Sequence, residues 1–178
     1  MAASEALPND ERFGDLIDLA VRDVNALRQA VARDPEILRV HDNLAETLLH
    51  WLVIEGHVGP VRCLLELGAD ANTCDHIGNP VLCDAIVLKR PEMAELLLEA
   101  GARPDVTDAG SGESALVLAV RRGRADLVGS LLRHGASVGD APSLLRDSIS
   151  DALKSCPKAS RAEIRRLLKQ HDWRPGQA

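Results

Sequence analysis

TLLHWLVIEGHVGPVRCLLELGADANTCD (residues 47–75) and PVLCDAIVLKRPEMAELLLEAGARPDVTD (residues 80–108) state one pattern twice. Leu49 precedes Leu82 by 33 residues, and the Gly68-Ala69 pair precedes Gly101-Ala102 by the same 33. A fixed period of this length marks a stacked solenoid, in which each unit buries its apolar face only against its neighbours. Within the first copy, Thr47 is placed to cap a helix that Gly56 stops, because glycine takes the left-handed conformation without a Cβ penalty. Gly59-Pro60 opens a second helix whose stripe is Val61, Leu64, Leu65 and Leu67, and Gly68 ends it. In the second copy Pro80 stands in the place of Thr47. This moves the expected cap to Asn79 and puts proline at the first helical position. Lys89 stands where Gly56 stood, so that position is either strained by roughly 1 kcal/mol or avoided by a different turn.

Outward from these two copies the period continues with changes. Leu82 corresponds to Leu116 and Gly101 to Gly135, an offset of 34, and the extra residue falls in DAGSG, residues 108–112. A glycine-rich loop tip is where a solenoid tolerates insertion. Ser114 takes the capping role there, Leu116, Leu118, Ala119 and Val120 are the apolar set, and Gly123 and Gly135 are the stops. Upstream, Phe13, Leu16, Ile17, Leu19, Ala20 and Val21, then Leu27, Ala30 and Val31, predict two short antiparallel helices. Asp34-Pro35 closes the second, and residues 36–42 read as a connector. Downstream, Asp140 with Pro142 starts a helix carrying Leu144, Leu145, Ile149 and Leu153, and Ser160 starts another carrying Ile164, Leu167 and Leu168. Arg161, Arg165, Arg166 and Lys169 crowd the last helix, as befits a polar terminal unit that ends a solenoid without exposing core.

Composition narrows the function. The chain has 178 residues, suited to one domain, and 21 Lys+Arg against 27 Asp+Glu give a net charge of -6. Such a balance repels phosphate backbones and anionic membranes, so nucleic acid and membrane are not expected partners. One Phe, two Trp and no Tyr leave little for base-stacking platforms. The amino terminus MAASEALPND lacks the basic and apolar regions of a secretory signal, and charged residues interrupt every apolar stretch well before the roughly 18 residues of a spanning helix. A cytoplasmic location is expected, with Cys63, Cys74, Cys83 and Cys156 as free thiols.

The chain resembles the ankyrin-repeat family. The likeness rests on TLLHWL (47–52) with Gly56-His57, LLELGADAN (64–72), LLLEAGARPD (96–105) and LLRHGASV (131–138), each at the family's register. The resemblance implies an all-α solenoid of about five helix-turn-helix units. The expected division is a disordered tail at 1–10 and a domain at 11–172, followed by a tail at 173–178. Within the domain fall an N-terminal cap at 11–41, repeats at 42–74, 75–107 and 108–139, and a C-terminal cap at 140–172. Leu48, Val81 and Ala115 replace the family's proline after the cap. His50 keeps the motif histidine, with Cys83 and Val117 at the equivalent positions, so two of the three units lack the imidazole that usually ties neighbouring loops. The family binds proteins with its loop tips and the exposed side of each first helix. Carried over by position, that surface comprises Asn43, Leu44, Glu46, Ile54 and Glu55, then His76, Ile77, Asn79, Val87 and Leu88, then Gly110, Ser111, Glu113, Arg121 and Arg122. Ile54, Ile77, Val87 and Leu88 are the informative members, because aliphatic side chains are not all expected at solvated positions; the alternative is that they pack under neighbouring loops. The expectation is a monomer without cofactor that binds another protein, as a small stand-alone inhibitor or scaffold.

The opposing reading is a metal- or thiol-dependent enzyme. Cys74, His76 and Cys83, with His50, offer the donor types that zinc takes in tetrahedral sets, but not the tight recurring spacing of structural sites. A cysteine nucleophile needs a base, an orienting group and a water-excluding cleft, none of which the periodicity supplies. Phosphate-loop, HExxH and GxSxG motifs do not occur. Trp51, right after His50 in the first helix of its unit, is expected in the core rather than at an interface.

Overall fold

The computed structural model describes residues 9–138 and 143–173. Helices α1 (Asn9–Arg22) and α2 (Val24–Arg33) form the first antiparallel pair. The Asp23 carboxylate accepts from the amides of Asn25 and Ala26 at 2.9 and 3.0 Å and caps α2, the arrangement that satisfies orphan donors at a helix start. Helix α1 begins at Asn9, so the last two residues of the expected tail are helical, and residues 1–8 lie outside the described residues. The expected connector is ordered as well. Pro35–Arg39 forms a 3-10 turn, capped by Asp34, that buries Ile37.

Four further pairs follow: α3 (Leu48–Glu55) with α4 (Val58–Glu66), α5 (Val81–Val87) with α6 (Pro91–Glu99), α7 (Ala115–Arg121) with α8 (Ala125–Arg133), and α9 (Ser143–Ser155) with α10 (Lys158–Gln170). Thr47 and Ser114 cap α3 and α7 as the sequence predicts, each hydroxyl accepting from an amide three residues on, at 3.3 Å. Three starts differ from expectation. Helix α4 begins at Val58, one residue before Gly59-Pro60, and Pro60 is tolerated because first-turn amides have no intrahelical acceptor. Helix α5 keeps the register of α3, with Pro80 itself as cap and no side-chain capping bond, and Asn79 is engaged elsewhere. Helix α10 begins at Lys158 behind Pro157, with Ser160 in its first turn. The expected start of α9 at Asp140 and Pro142, and the side chains of Leu144 and Leu145, lie outside the described residues.

Lys89 resolves the choice left by its sequence: its φ is +60°, so the chain accepts a left-handed residue where α3 ends on Gly56 at +90°. Helices α1, α3, α5, α7 and α9 touch in succession to make one layer, and α2, α4, α6, α8 and α10 make the other. Between the layers, Leu49, Leu82 and Leu116, and Leu64, Leu97 and Leu131, are buried at matching positions of successive units. Each such leucine contributes about 1.5–3 kcal/mol relative to exposure. Ion pairs Arg28–Glu66 at 2.7 Å, Arg62–Glu92 at 3.8 Å and Arg133–Glu95 at 3.1 Å step along the outside of the second layer. Trp173, assigned by sequence to the tail, is buried on the final pair with its amide donating to the Leu168 carbonyl at 3.0 Å, and residues 174–178 are outside the described set.

Candidate protein-binding surface

The loops between pairs are built on a recurring aspartate. Asp42 accepts on one carboxylate oxygen from the amides of Leu44 and Glu46 at 2.8 and 2.9 Å, and Asp75 repeats this with Ile77 and Asn79 at 3.0 and 2.8 Å. Asp108 does the same work in the longer third loop through Ser111, whose amide and hydroxyl both donate at 2.6 Å. A short carboxylate that bonds its own backbone two residues on is a strong turn former. Each loop closes as a narrow antiparallel finger, bridged at His41 and Thr47, Cys74 and Pro80, and Thr107 and Ser114. Neighbouring fingers are tied together, for the His76 amide donates to the Leu44 carbonyl at 2.8 Å and the Ala109 amide to the Asn79 side-chain oxygen at 3.1 Å.

A polar relay under the fingers replaces the missing motif histidines. His50 Nε2 lies 2.8 Å from Asp84 Oδ2, and Asp84 Oδ1 accepts from Asn79 Nδ2 at 2.8 Å. His50, Asp84, Asn79 and Ala109 thus join three successive units. His50 is fully buried, and a buried polar group left without its partner costs about 1–3 kcal/mol. The relay corrects one expectation: Asn79, placed on the binding surface by position, is only 6% exposed and both ends of its amide are engaged. Sequence reasoning missed Asp42, Asp75, Asp108 and Asp84. The first three recur at the 33-residue period just ahead of the turn, a signal that was available.

What remains on the surface is an apolar set on a rigid frame. Leu44 and Ile77 stand on adjacent finger tips, 48% and 59% exposed, and Leu88 at the end of α5 is 44% exposed. Ile54, in the last turn of α3, and Val87, which ends α5, are half-buried. Of the polar candidates, His76 and Glu55 are exposed, while Glu46 is half-buried. Burial first, then the nearby carboxylates of Asp42, Asp75 and Asp84, push Glu46 above the usual glutamate range, against the opposing influence of His50. The arginines at the far end are engaged within the chain. Arg121 forks onto Glu113 and reaches Ser155 Oγ at 3.2 Å, and Arg122 donates to the Val87 carbonyl at 2.9 Å. Arg90 donates likewise to the Ile54 carbonyl at 3.2 Å, and Arg161 to the Lys154 carbonyl at 2.9 Å. An arginine from a following segment therefore covers the carbonyl end of α3, α5 and α9, where a cation is favoured by the helix dipole.

The thiol and imidazole group does not converge. Cys74 and His76 are exposed on the second finger while Cys83 is buried in α5, and among the described residues no group of three or more His, Cys, Asp or Glu is placed to hold a metal. Burial, aided by Asp108 and Asp84, pushes the Cys83 thiol up to about 12, so it stays protonated at neutral pH. Trp51 is half-buried and stacks on His57 with ring centroids 5.9 Å apart.

Among the described residues no helix is long and apolar enough to cross a membrane. Comparison with known proteins matches ankyrin repeats in three copies at residues 17–108 and a further ankyrin repeat at residues 111–143. Protein PhlB of Serratia liquefaciens is 33% identical over 151 residues, 79% of this chain and 63% of that protein. The serine/threonine-protein kinase VIK of Arabidopsis thaliana is 37% identical over 79 residues, 44% of this chain and 18% of the kinase. The E3 ubiquitin-protein ligase Ufd4 of Drosophila melanogaster is 34% identical over 100 residues, 56% of this chain and 4% of the ligase. The match thus spans 63% or less of each of these relatives. With repeats matched over most of its length and helical pairs stacked in two layers, the chain belongs to the ankyrin-repeat family, whose repeats are protein–protein interaction modules.

Proposed function

We propose that this chain binds a partner protein through the tips of its first two fingers and the adjoining ends of α3 and α5, acting by occlusion or scaffolding rather than by catalysis. The observation that carries the reading is the exposure of Leu44 and Ile77 on loops that internal hydrogen bonds already hold in place, with Leu88 exposed beside them at the end of α5. Apolar side chains on a preformed frame gain burial on docking without the ordering cost that a flexible loop incurs. Glu55, His76 and the Glu113, Arg121 and Arg122 group form the polar rim of the same surface, with Ile54 and Val87 beneath it. Free cysteines suit a reducing compartment such as the cytoplasm, and the working form is taken as a monomer.

The test is affinity capture with the wild-type chain beside a Leu44→Glu, Ile77→Glu, Leu88→Glu variant whose fold is verified by circular dichroism. The expected result is a captured partner that the variant releases. A partner held equally by both chains would place the interface elsewhere.

A further inference from the structure

The same position is treated differently in two of the units. In the third unit Glu113 is neutralised by Arg121, eight residues on, whose guanidinium forks onto the carboxylate. In the first unit the equivalent residues are Glu46 and Ile54, also eight apart, and the arginine is replaced by an aliphatic chain. Among the described residues no Lys or Arg pairs with Glu46, and the charged neighbours acting on it are Asp42, Asp75, Asp84 and His50. His50 is already committed to Asp84. Glu46 is half-buried with its own amide on the Asp42 carboxylate, and a carboxylate held there without a cation of its own is an unfavourable arrangement for the free chain. It lies in the finger that presents Leu44, and the His76–Leu44 backbone bond brings the finger that presents Ile77 alongside.

We infer that Glu46 is the receptor for a cationic side chain, arginine or lysine, that the partner protein presents between apolar residues seated on Leu44 and Ile77. The inference rests on the protein-binding reading and adds the chemistry of the partner. An arginine entering there completes in trans the pair that Glu113 and Arg121 make in cis, and a planar guanidinium suits a carboxylate better than an ammonium does. The negative field of Asp42, Asp75 and Asp84 draws such a group in and repels an acidic segment.

Random peptides displayed on phage, panned against the immobilised chain, supply a probe that needs no known partner. Peptides enriched for Arg or Lys flanked by apolar residues are expected, and synthetic copies followed by fluorescence anisotropy should bind Glu46→Gln about tenfold more weakly, the equivalent of about 1.4 kcal/mol. Glu99→Gln, on the exposed outer side of α6, should leave binding unchanged. Glu46→Gln should melt no lower than the wild type, because it removes a crowded charge; a lower melting temperature would make Glu46 a structural residue and overturn the inference. Enrichment of acidic or uncharged peptides, or binding indifferent to Glu46→Gln, overturns it too. If Ile77→Glu then abolishes binding while Glu46→Gln does not, the protein-binding reading stands and the cation receptor falls. If neither substitution matters, both fall.

Discussion

At the scale of the residue, two glycines with similar backbones have different reasons to be glycine. Gly68 and Gly123 both take left-handed φ, +91° and +68°. An added Cβ at Gly68 meets open space, whereas at Gly123 it would fall 2.6 Å from Cδ of Pro157, a rigid ring at the start of α10. Alanine at Gly68 should therefore cost only the left-handed penalty, about 1–2 kcal/mol. Alanine at Gly123 adds overpacking of about 1–3 kcal/mol more. Urea unfolding of the two variants should rank them in that order, and equal midpoints would mean that Pro157 yields freely. Both glycines were legible as stops from their spacing, but the contact with Pro157 was not, since it joins residues 34 positions apart in a part of the chain where the repeat has degraded. The relay was hidden for a related reason. Asp84 occupies the register of Trp51 and Leu118, where a carboxylate reads as an exposed polar residue until His50, one unit earlier, is found against it.

Between elements, polar contacts divide into those that carry weight and those that decorate the surface. Glu95 on α6 accepts from the Ser130 hydroxyl on α8 and pairs with Arg133, so it differs from the exposed Arg62–Glu92 contact at 3.8 Å. The Ser130 hydrogen bond above all, and then Arg133, holds the Glu95 carboxyl below its ordinary value of 4.5. A carboxylate depressed on folding contributes stability that is fully present above the unfolded value and is lost as pH falls through the folded one. Ser130→Ala should consequently lower the urea midpoint above pH 4.5 and narrow its gap to the wild type as the pH is taken below that value. A gap of constant size across that range would assign the loss to packing alone, since Ser130 is itself buried. Helix order and pairing were readable from the period because leucines and glycines repeat at fixed offsets. Helix starts were less so, as Pro80 and Pro157 show: proline fixes φ wherever it stands, and its position alone does not say whether it is the cap or the first helical residue.

Across the whole molecule, a solenoid has stability that varies along its length, because each unit is held only by its neighbours. Helices α3 and α4 are flanked on both sides, by α1 and α2 and by α5 and α6, whereas α9 and α10 have α7 and α8 on one side. The chain contains two tryptophans, and they fall in these two settings: Trp51 stacked on His57 in the first clear repeat, and Trp173 buried on the last pair. The binding fingers proposed above lie with Trp51, so the rigidity they need is drawn from the better-flanked end. Trp51→Phe and Trp173→Phe variants each leave one reporter, and their fluorescence in urea follows the two regions separately. We expect the variant that retains Trp173 to lose its native signal at lower urea than the variant that retains Trp51, while circular dichroism spans both transitions. Gly123 against Pro157 and Arg121 on the Ser155 hydroxyl at the end of α9 are the contacts that oppose this fraying. Coincident transitions from both reporters would show that they couple α9 and α10 to the other pairs strongly enough for all five pairs to unfold as one unit.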